Sequence, residues 1–473
     1  MSRCRGERVP AVTHMDRFDF SKIVFYATCV TGVLGLSFAF GLYSGANQTV
    51  VYDVLAGLKA KIEDSLNITK EEAPTLAKIH PKNFLQPARY QGHGVTVNKV
   101  VEPVENFVLL SGFFGDSNEI RLIRRDGSVI ARWPAQFSAI FEDTSHLIVA
   151  PTTDWNVDIH GALARPDGSV VFNFEYYGLV KLDRCGDVVW TVPRETHHSV
   201  EVAEGGGYWV PARRRYGEGS RSPYPPFTPP FMEDTVVKIS EQGEVVAEIS
   251  VPKLFYDSGL ETLLTATGKN FVARKHPDFE IVHLNKITEL PSALAVHFPN
   301  FRAGDLALSL RQRNLIMVID PNTRKIKWWK VGPWVRQHDP EFSPRGTIVV
   351  FNNNAYKIAY GDGPEISSPT MAPVSNVIEI DPRSGRHRAI FGGKPGQEML
   401  SVIRGKMDLT PKGGLLITEF EGGRVFETNS EGDVVWEYIN RYSAAEVAEI
   451  TEARIYPASY FTVSDWSCDK PGD

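Results

Sequence analysis

Cysteine is scarce in this chain, and where it occurs it is never paired at short spacing. Only Cys4, Cys29, Cys185 and Cys468 occur in 473 residues, which leaves no Cys-x-x-Cys metal or redox site and no disulfide-dense scaffold. No His-Glu-x-x-His and no Gly-x-x-x-x-Gly-Lys-[Ser/Thr] is present, so the zinc-protease helix and the phosphate loop are excluded as well. Positive charge is not in excess: 51 Lys and Arg stand against 57 Asp and Glu, for a formal charge of −6 and a pI near 6.1. A chain of that balance carries no electrostatic footprint for nucleic acid.

What is present is an ordinary globular composition, 42% hydrophobic and 11% aromatic, enough for a large core. One run departs from it. Ile23–Tyr43, "IVFYATCVTGVLGLSFAFGLY", is free of charge and long enough to cross a bilayer. Arg3, Arg5, Arg8, Arg17 and Lys22 precede it against three acids, and the first charge after it is Asp53. The positive side is therefore residues 1–22, which places the bulk of the chain outside the cytoplasm. A cleaved signal peptide is the competing reading, but the apolar run is longer than such a segment needs. Cys185 and Cys468 then face an oxidising space, where a disulfide and two free thiols are both open.

Residues 44–89 read as a stalk, with "VYDVLAGLKAKIEDSLN" (Val51–Asn67) at helical spacing. From 90 to 441 the texture is of short β-rich runs separated by Gly, Pro, Asp and Asn, followed by a tail over 442–473. Six segments in this region end alike: "EIRLIRRDGSVIARW", "GLVKLDRCGDVVWTV", "DTVVKISEQGEVVAEI", "NLIMVIDPNTRKIKWW", "NVIEIDPRSGRHRAIF" and "GRVFETNSEGDVVWEY". Six closing hairpins of about four strands per unit predict an all-β fold, a six-bladed β-propeller, behind an N-terminal transmembrane helix and a short helical stalk.

Histidine recurs in one phase of these units, at His160, His198, His283 and His338, with His197 beside the second. A single histidine at a strand end is usually structural. Four of twelve in one repeat phase are harder to dismiss, because a hairpin gains nothing from imidazole there. Propeller geometry brings the start of each first strand to the same rim as the end of its second strand. The histidines should therefore meet Tyr176, Arg213, Arg311, Asn352 and Glu419. Such a cluster suits a transition metal or covalent catalysis.

The run "EIVHLNKITELPSALAVHFPNFRAGDLALSLRQRNLIMVIDPNTRKIKWWKVGPWVRQHDPEFSPRGTIVVFNNN", with "ETHHSVEV" before it and "GGLLITEFEGGRVFETNSEGDVVWEY" after it, resembles the arylsulfate sulfotransferase family of bacterial periplasmic six-bladed propellers. The resemblance spans nearly all of 90–440 and is most specific at His-x-Asn, Leu-Arg and Gln-His. It implies transfer of a sulfuryl group from an aryl sulfate to a phenolic acceptor, through a sulfated histidine, with no nucleotide donor, cofactor or metal. Carried onto this chain it makes His338 the nucleophile and His283, Arg311 and His198 its catalytic partners. Asn285 matches the Asn of His-x-Asn, and His197 is an alternative to His198. His160, Asn352, Arg213 and Glu419 join as substrate-binding candidates on rim geometry alone. Asp339, after the nucleophile, departs from the family pattern; on a strand it should point away from the face that His338 uses.

The implied location is the inner membrane, single-pass, with the propeller in the periplasm. Partners are the two aryl substrates and the membrane, and a homodimer stays open. Three other functions compete. A calcium-dependent lactonase-type hydrolase needs carboxylates where this repeat supplies imidazoles. A non-catalytic binding propeller needs none of the histidines. An aryl sulfatase would use the same histidine with water as acceptor.

Overall fold

The computed structural model describes residues 20–47, 81–100, 105–265, 280–354 and 375–468. It divides into two units, Met1–Ala73 and Pro74–Asp473. In the first, a helix covers Phe20–Asn47 and contains Val24–Gly41, an 18-residue window of mean hydropathy 1.7 that is long and apolar enough to cross a membrane. Its large side chains, Phe25, Leu34, Leu36 and Phe38 among them, are exposed. Exposed apolar residues on every face belong to a helix whose partner is not water. A signal sequence would meet the same test. The predicted amphipathic helix Val51–Asn67 lies outside the described residues.

The second unit is the six-bladed propeller that the closing hairpins predict, and each blade is an antiparallel sheet. From the innermost strand outward, the second blade is Ile159–Ala164, Val170–Phe174, Gly178–Leu182 and Val188–Val192; the third is Glu201–Val202, Tyr208–Tyr216, Phe231–Ile239 and Val245–Ser250. The fourth is Leu284–Glu289, Leu306–Leu310, Leu315–Asp320 and Lys325–Val331; the fifth is His338–Phe342, Ile348–Asn352, Asn376–Ile380 and His387–Phe391. The sixth is Lys406–Leu409, Leu415–Glu419, Arg424–Thr428 and Val434–Ile439.

The first blade corrects the sequence reading of 442–473 as a tail. Ile450–Pro457 is its innermost strand, paired to Asn106–Phe114, with Ser117–Arg124 and Val129–Pro134 outside. Gly94–Asn98 in turn adds an outermost strand to the sixth blade. Both ends of the described propeller chain are thereby stitched into the ring, which covers edges that would otherwise be open.

Strand alternation explains why the blades stack. In Asn106–Phe114, Phe107 and Leu109 pack against the second blade while Val108 and Leu110 pack against the sixth. The same alternation produces six apolar clusters, one between each successive pair of blades. All six pairings of third with fourth strand also carry one register shift. That is the structural form of the repeat, since each bulge adds twist at the blade edge.

Cys185 and Cys468, left open by the sequence, form a disulfide across a separation of 283 residues. It ties the chain after the closing strand to the turn that closes the second blade. Cys468→Ser should lower the unfolding free energy by roughly 2–5 kcal/mol. Urea unfolding with and without a thiol reductant checks this: the reductant should shift the midpoint of the parent and leave that of the variant in place.

Candidate active site

The innermost strands deliver five imidazoles to one end of the channel. His160, His197, His198, His283 and His338 are all buried, none more than 3% exposed. Ring centroids lie 4.6 Å apart for His160–His198, 4.7 Å for His198–His283 and 6.4 Å for His198–His338. The pairing of first with second strand skips a residue across His160, between Ile159 and Ala162, again between Leu284 and Lys286 just after His283, and between His338 and Glu341. Bulges of this kind re-aim a side chain that regular alternation would turn elsewhere.

The backbone here is unusual. Tyr176, His198, His283, Arg336, Asp339 and Arg404 have φ between 48° and 67° without being glycine. Each such residue costs on the order of 1–3 kcal/mol, so its surroundings must hold it in place. Carboxylates do this for two of the histidines. Glu175 Oε2 accepts from the backbone N–H of His198 at 2.9 Å, and Asp234 accepts from those of His283 and Leu284 at 3.0 and 3.1 Å.

His338 is held differently from the rest. Its Nδ1 lies 2.6 Å from Asn353 Oδ1 and 3.1 Å from the carbonyl of Arg336. The amide orientation of Asn353 is decided by its Nδ2, which donates to the carbonyls of Ser401 and Arg404 at 2.7 Å each. Both neighbours of Nδ1 are thus acceptors, so Nδ1 carries the hydrogen. Nε2 is then the lone-pair nitrogen, and it is buried with no hydrogen-bond partner.

A family model for arylsulfotransferase (ASST) matches residues 162–441. The chain belongs to the arylsulfotransferase family. That match supports arylsulfotransferase activity in general terms. No curated protein sequence matches the chain significantly. Among solved structures, a protein of unknown function from Bacteroides caccae is similar at 14% identity and a TM-score of 0.44, over 74% of this chain and 98% of that one. A virginiamycin B lyase from Staphylococcus aureus is similar at 12% identity and a TM-score of 0.38, over 77% and 91%.

The other residues singled out in the sequence, from the resemblance or from rim geometry, divide into those that reach the histidines and those that do not. Arg311 Nη2 lies 3.3 Å from His283 Nδ1. Asn285 donates to the carbonyl of Gln337 at 2.8 Å, bracing the residue before His338, and its Oδ1 is buried without a partner. Arg213 stacks 3.4 Å over the ring of Tyr176 and pairs with Glu280 and Glu195 at 3.0 and 3.4 Å. It holds the wall behind the cluster.

Asn352 turns aside. Its Oδ1 accepts from Val335 N–H at 2.8 Å and its Nδ2 donates to Asn376, while the next residue, Asn353, meets His338. Glu419 belongs to another network, bonded to the Tyr90 hydroxyl at 2.8 Å and paired with Arg89 and Arg424 at 3.4 and 3.3 Å. Asp339 faces Lys286 and Lys406 at 3.4 and 3.5 Å and accepts from Met407 N–H.

Sequence reasoning missed Glu175, Asp234, Glu280 and Asn353. Glu175 Oε2 also takes His160 Nδ1 at 3.1 Å, and Oε1 takes His198 Nδ1 at 2.9 Å. Atoms of His160, Glu175 and His198 lie within 4.8 Å of one another, a spacing a metal could bridge. Both Nδ1 atoms are already satisfied by the carboxylate, so protons do the bridging. Asp339, Glu341 and Asp408 form a second such group, but Lys286 stands 3.1 Å from Glu341 and 3.4 Å from Asp339, where a cation would sit. A cavity of about 750 Å³ is lined by Glu341, Asp408 and Arg454, among others, and none of the histidines lines it.

Burial dominates the electrostatics. It pushes His160 below the usual histidine range, His197 to about 4 and His338 well below, with Arg311 adding to the effect at His338. All three are therefore neutral at neutral pH when folded and take up protons once unfolded. The unfolded chain binds more protons below its ordinary histidine pKa of about 6.5, so stability falls as pH drops through that value. Burial holds Asp234, Glu341 and Asp408 protonated above the usual carboxylate range, which acts in the opposite direction. The histidine contribution is therefore read by difference: the denaturant midpoint of the parent relative to that of His197→Gln should fall as pH drops below about 6.5, and a constant difference from pH 7.5 to 5 would contradict neutral burial of His197.

Proposed function

We propose that this chain transfers a sulfuryl group from an aryl sulfate to a phenol, with His338 Nε2 as nucleophile. The observation that carries the reading is the fixed tautomer of His338, which leaves a buried, unpartnered lone pair on Nε2. A neutral imidazole attacks sulfur, and the N-sulfated intermediate divides one difficult transfer into two easier ones. The negative sulfuryl oxygens need donors. Arg311 offers a planar fork of them beside His283, and Asn285 braces the nucleophile's backbone. His198 or His283 supplies the proton for the oxygen that bridges to the ring. His160, with its Nδ1 on Glu175, stands beside His198 in the same cluster.

The apolar helix Phe20–Asn47 is read as an uncleaved anchor in the inner membrane, with the propeller in the periplasm. The Cys185–Cys468 disulfide suits an oxidising compartment. Lysines beside Asp339 and Glu341 count against the calcium hydrolase.

The test incubates the full chain with a chromogenic aryl sulfate and maps added sulfuryl groups on its peptides. Label on the peptide containing His338, together with phenol release stimulated by added acceptor phenol, is the expected result. Phenol release that ignores the acceptor would favour a sulfatase, and no label and no release across several donors would favour a binding module.

A further inference from the structure

Glu175, His198, His283 and Glu280 form a line of three contacts. Glu175 Oε1 lies 2.9 Å from His198 Nδ1, and His198 Nε2 lies 3.1 Å from His283 Nε2. His283 Nδ1 is in close contact with Glu280 Oε2. A carboxylate oxygen and an unprotonated ring nitrogen are both acceptors, so each contact needs one proton between its atoms. Three contacts need three protons, and two neutral imidazoles bring only two. With two, one contact would set lone pairs against each other in a buried site, where an unmade hydrogen bond is most unfavourable.

We infer that this line holds a third proton and that this shared proton is the acid and base of the reaction, a role that rests on the sulfotransfer reading above. The count does not depend on which bond carries the extra proton, since moving it along the line leaves the total at three. Glu175 and Glu280 are then positioning residues: they hold the two Nδ1 hydrogens and offset the positive charge between the rings.

The step balances with nothing added. As His338 Nε2 bonds to sulfur, the ester S–O bond breaks and its electron pair stays on the phenolate oxygen. That oxygen takes the third proton and leaves as phenol. In the second half an acceptor phenol returns its hydroxyl proton to the line as its oxygen attacks sulfur, and the N–S pair returns to His338.

The neighbours favour release of this proton. Burial lowers the proton affinity of both rings, and at His283 it is lowered further by Arg311, whose Nη2 can only donate and stands 3.3 Å from Nδ1, opposing a hydrogen there. Against this stand the carboxylates of Glu175 and Glu280, whereas Asp234, which accepts from the backbone of His283, is pushed up to about 8 by burial and by Glu280 and favours its neutral form. Arg213 sits on the far side of Glu280. His160, His197 and His338 complete the surroundings, with His197 Nδ1 3.0 Å from His198 Nδ1 and able to share its hydrogen.

The test uses the full chain, uniformly labelled at histidine with nitrogen-15, without substrate at neutral pH. The inference expects one far-downfield proton resonance coupled to ring Nε2, lost in both Glu175→Gln and Glu280→Gln. Unprotonated Nε2 signals assigned to both His198 and His283, with no such resonance in the parent, would overturn it, with no variant required. Kinetically, Glu280→Gln should slow release of weakly acidic phenols by on the order of 10²-fold while leaving nitrophenol release nearly unchanged. Equal slowing of every leaving group would reduce Glu280 to packing and overturn the acid role. Transfer without the resonance sinks the line alone; the resonance without transfer by any donor sinks the sulfotransfer reading and leaves the line without a catalytic role.

Discussion

His338→Ala should lower transfer by on the order of 10⁴–10⁶-fold and remove the sulfuryl label from its peptide. Losses of that size are what deleting a covalent nucleophile produces when the rest of the site stays in place. The fold should survive. The variant removes one ring from a propeller held by six apolar clusters, and it leaves Asn353 Oδ1 buried without its partner, a loss of about 1–3 kcal/mol. A circular dichroism melt separates this from unfolding. Transfer within tenfold of the parent would mean that another imidazole attacks. His160 would be the first suspect, because its Nδ1 is likewise held by an acceptor and its Nε2 is likewise buried without a partner.

Asn353→Ala should cost on the order of 10²–10⁴ in kcat with little change in KM, through a residue that need never touch substrate. Removing the group that fixes a catalytic tautomer can approach the loss of the catalytic base itself. Without Asn353, Nδ1 keeps only the carbonyl of Arg336 at 3.1 Å, and the ring is free to move its hydrogen to Nε2. The pH profile distinguishes this from a packing defect: a tautomer effect lowers the plateau at every pH, while a loosened, more hydrated site would also move its acid limb. An unchanged kcat would remove the tautomer argument, and with it the main support for His338 as nucleophile. Asn352→Ala is the matched comparison, expected to act on stability through Val335 and Asn376.

That contrast between neighbours marks how far the sequence could be read. The six closing hairpins and the phase of the histidines were legible because hydrophobic period and turn chemistry are local properties. So was the convergence of first-strand starts with second-strand ends, which follows from antiparallel pairing. The face each terminal residue presents was not legible. Tyr176 does pack on His197 and His198, with ring centroids 5.1 and 6.0 Å apart, but its neighbour Glu175 makes the polar contacts, and at the end of the fifth blade's second strand the sequence points to Asn352 while the structure puts Asn353 against His338.

A one-residue slip reverses the face of a strand. The bulges at His160 and His338, and the positive φ of Tyr176, His198, His283 and Asp339, decide where the slips fall. His and Asp are enriched at positive φ, but most of them lie elsewhere, so residue type alone does not announce such a conformation. Glu280, three residues before His283, escaped notice because it lies outside the phase of the histidines, and Asp234 because only the folded third and fourth blades bring it to His283.

Blade count, the apolar helix and the family follow from the sequence alone, since each is written in periodicity or in contiguous motifs. What closes the ring, which nitrogen of His338 is free, and which carboxylates hold the imidazoles are settled by the folded chain. Those depend on contacts between residues up to hundreds of positions apart, such as Ile450–Pro457 on Asn106–Phe114 and Cys185 on Cys468. No local pattern carries that information, because the energy that fixes it is released only when the ring is closed and its channel is buried.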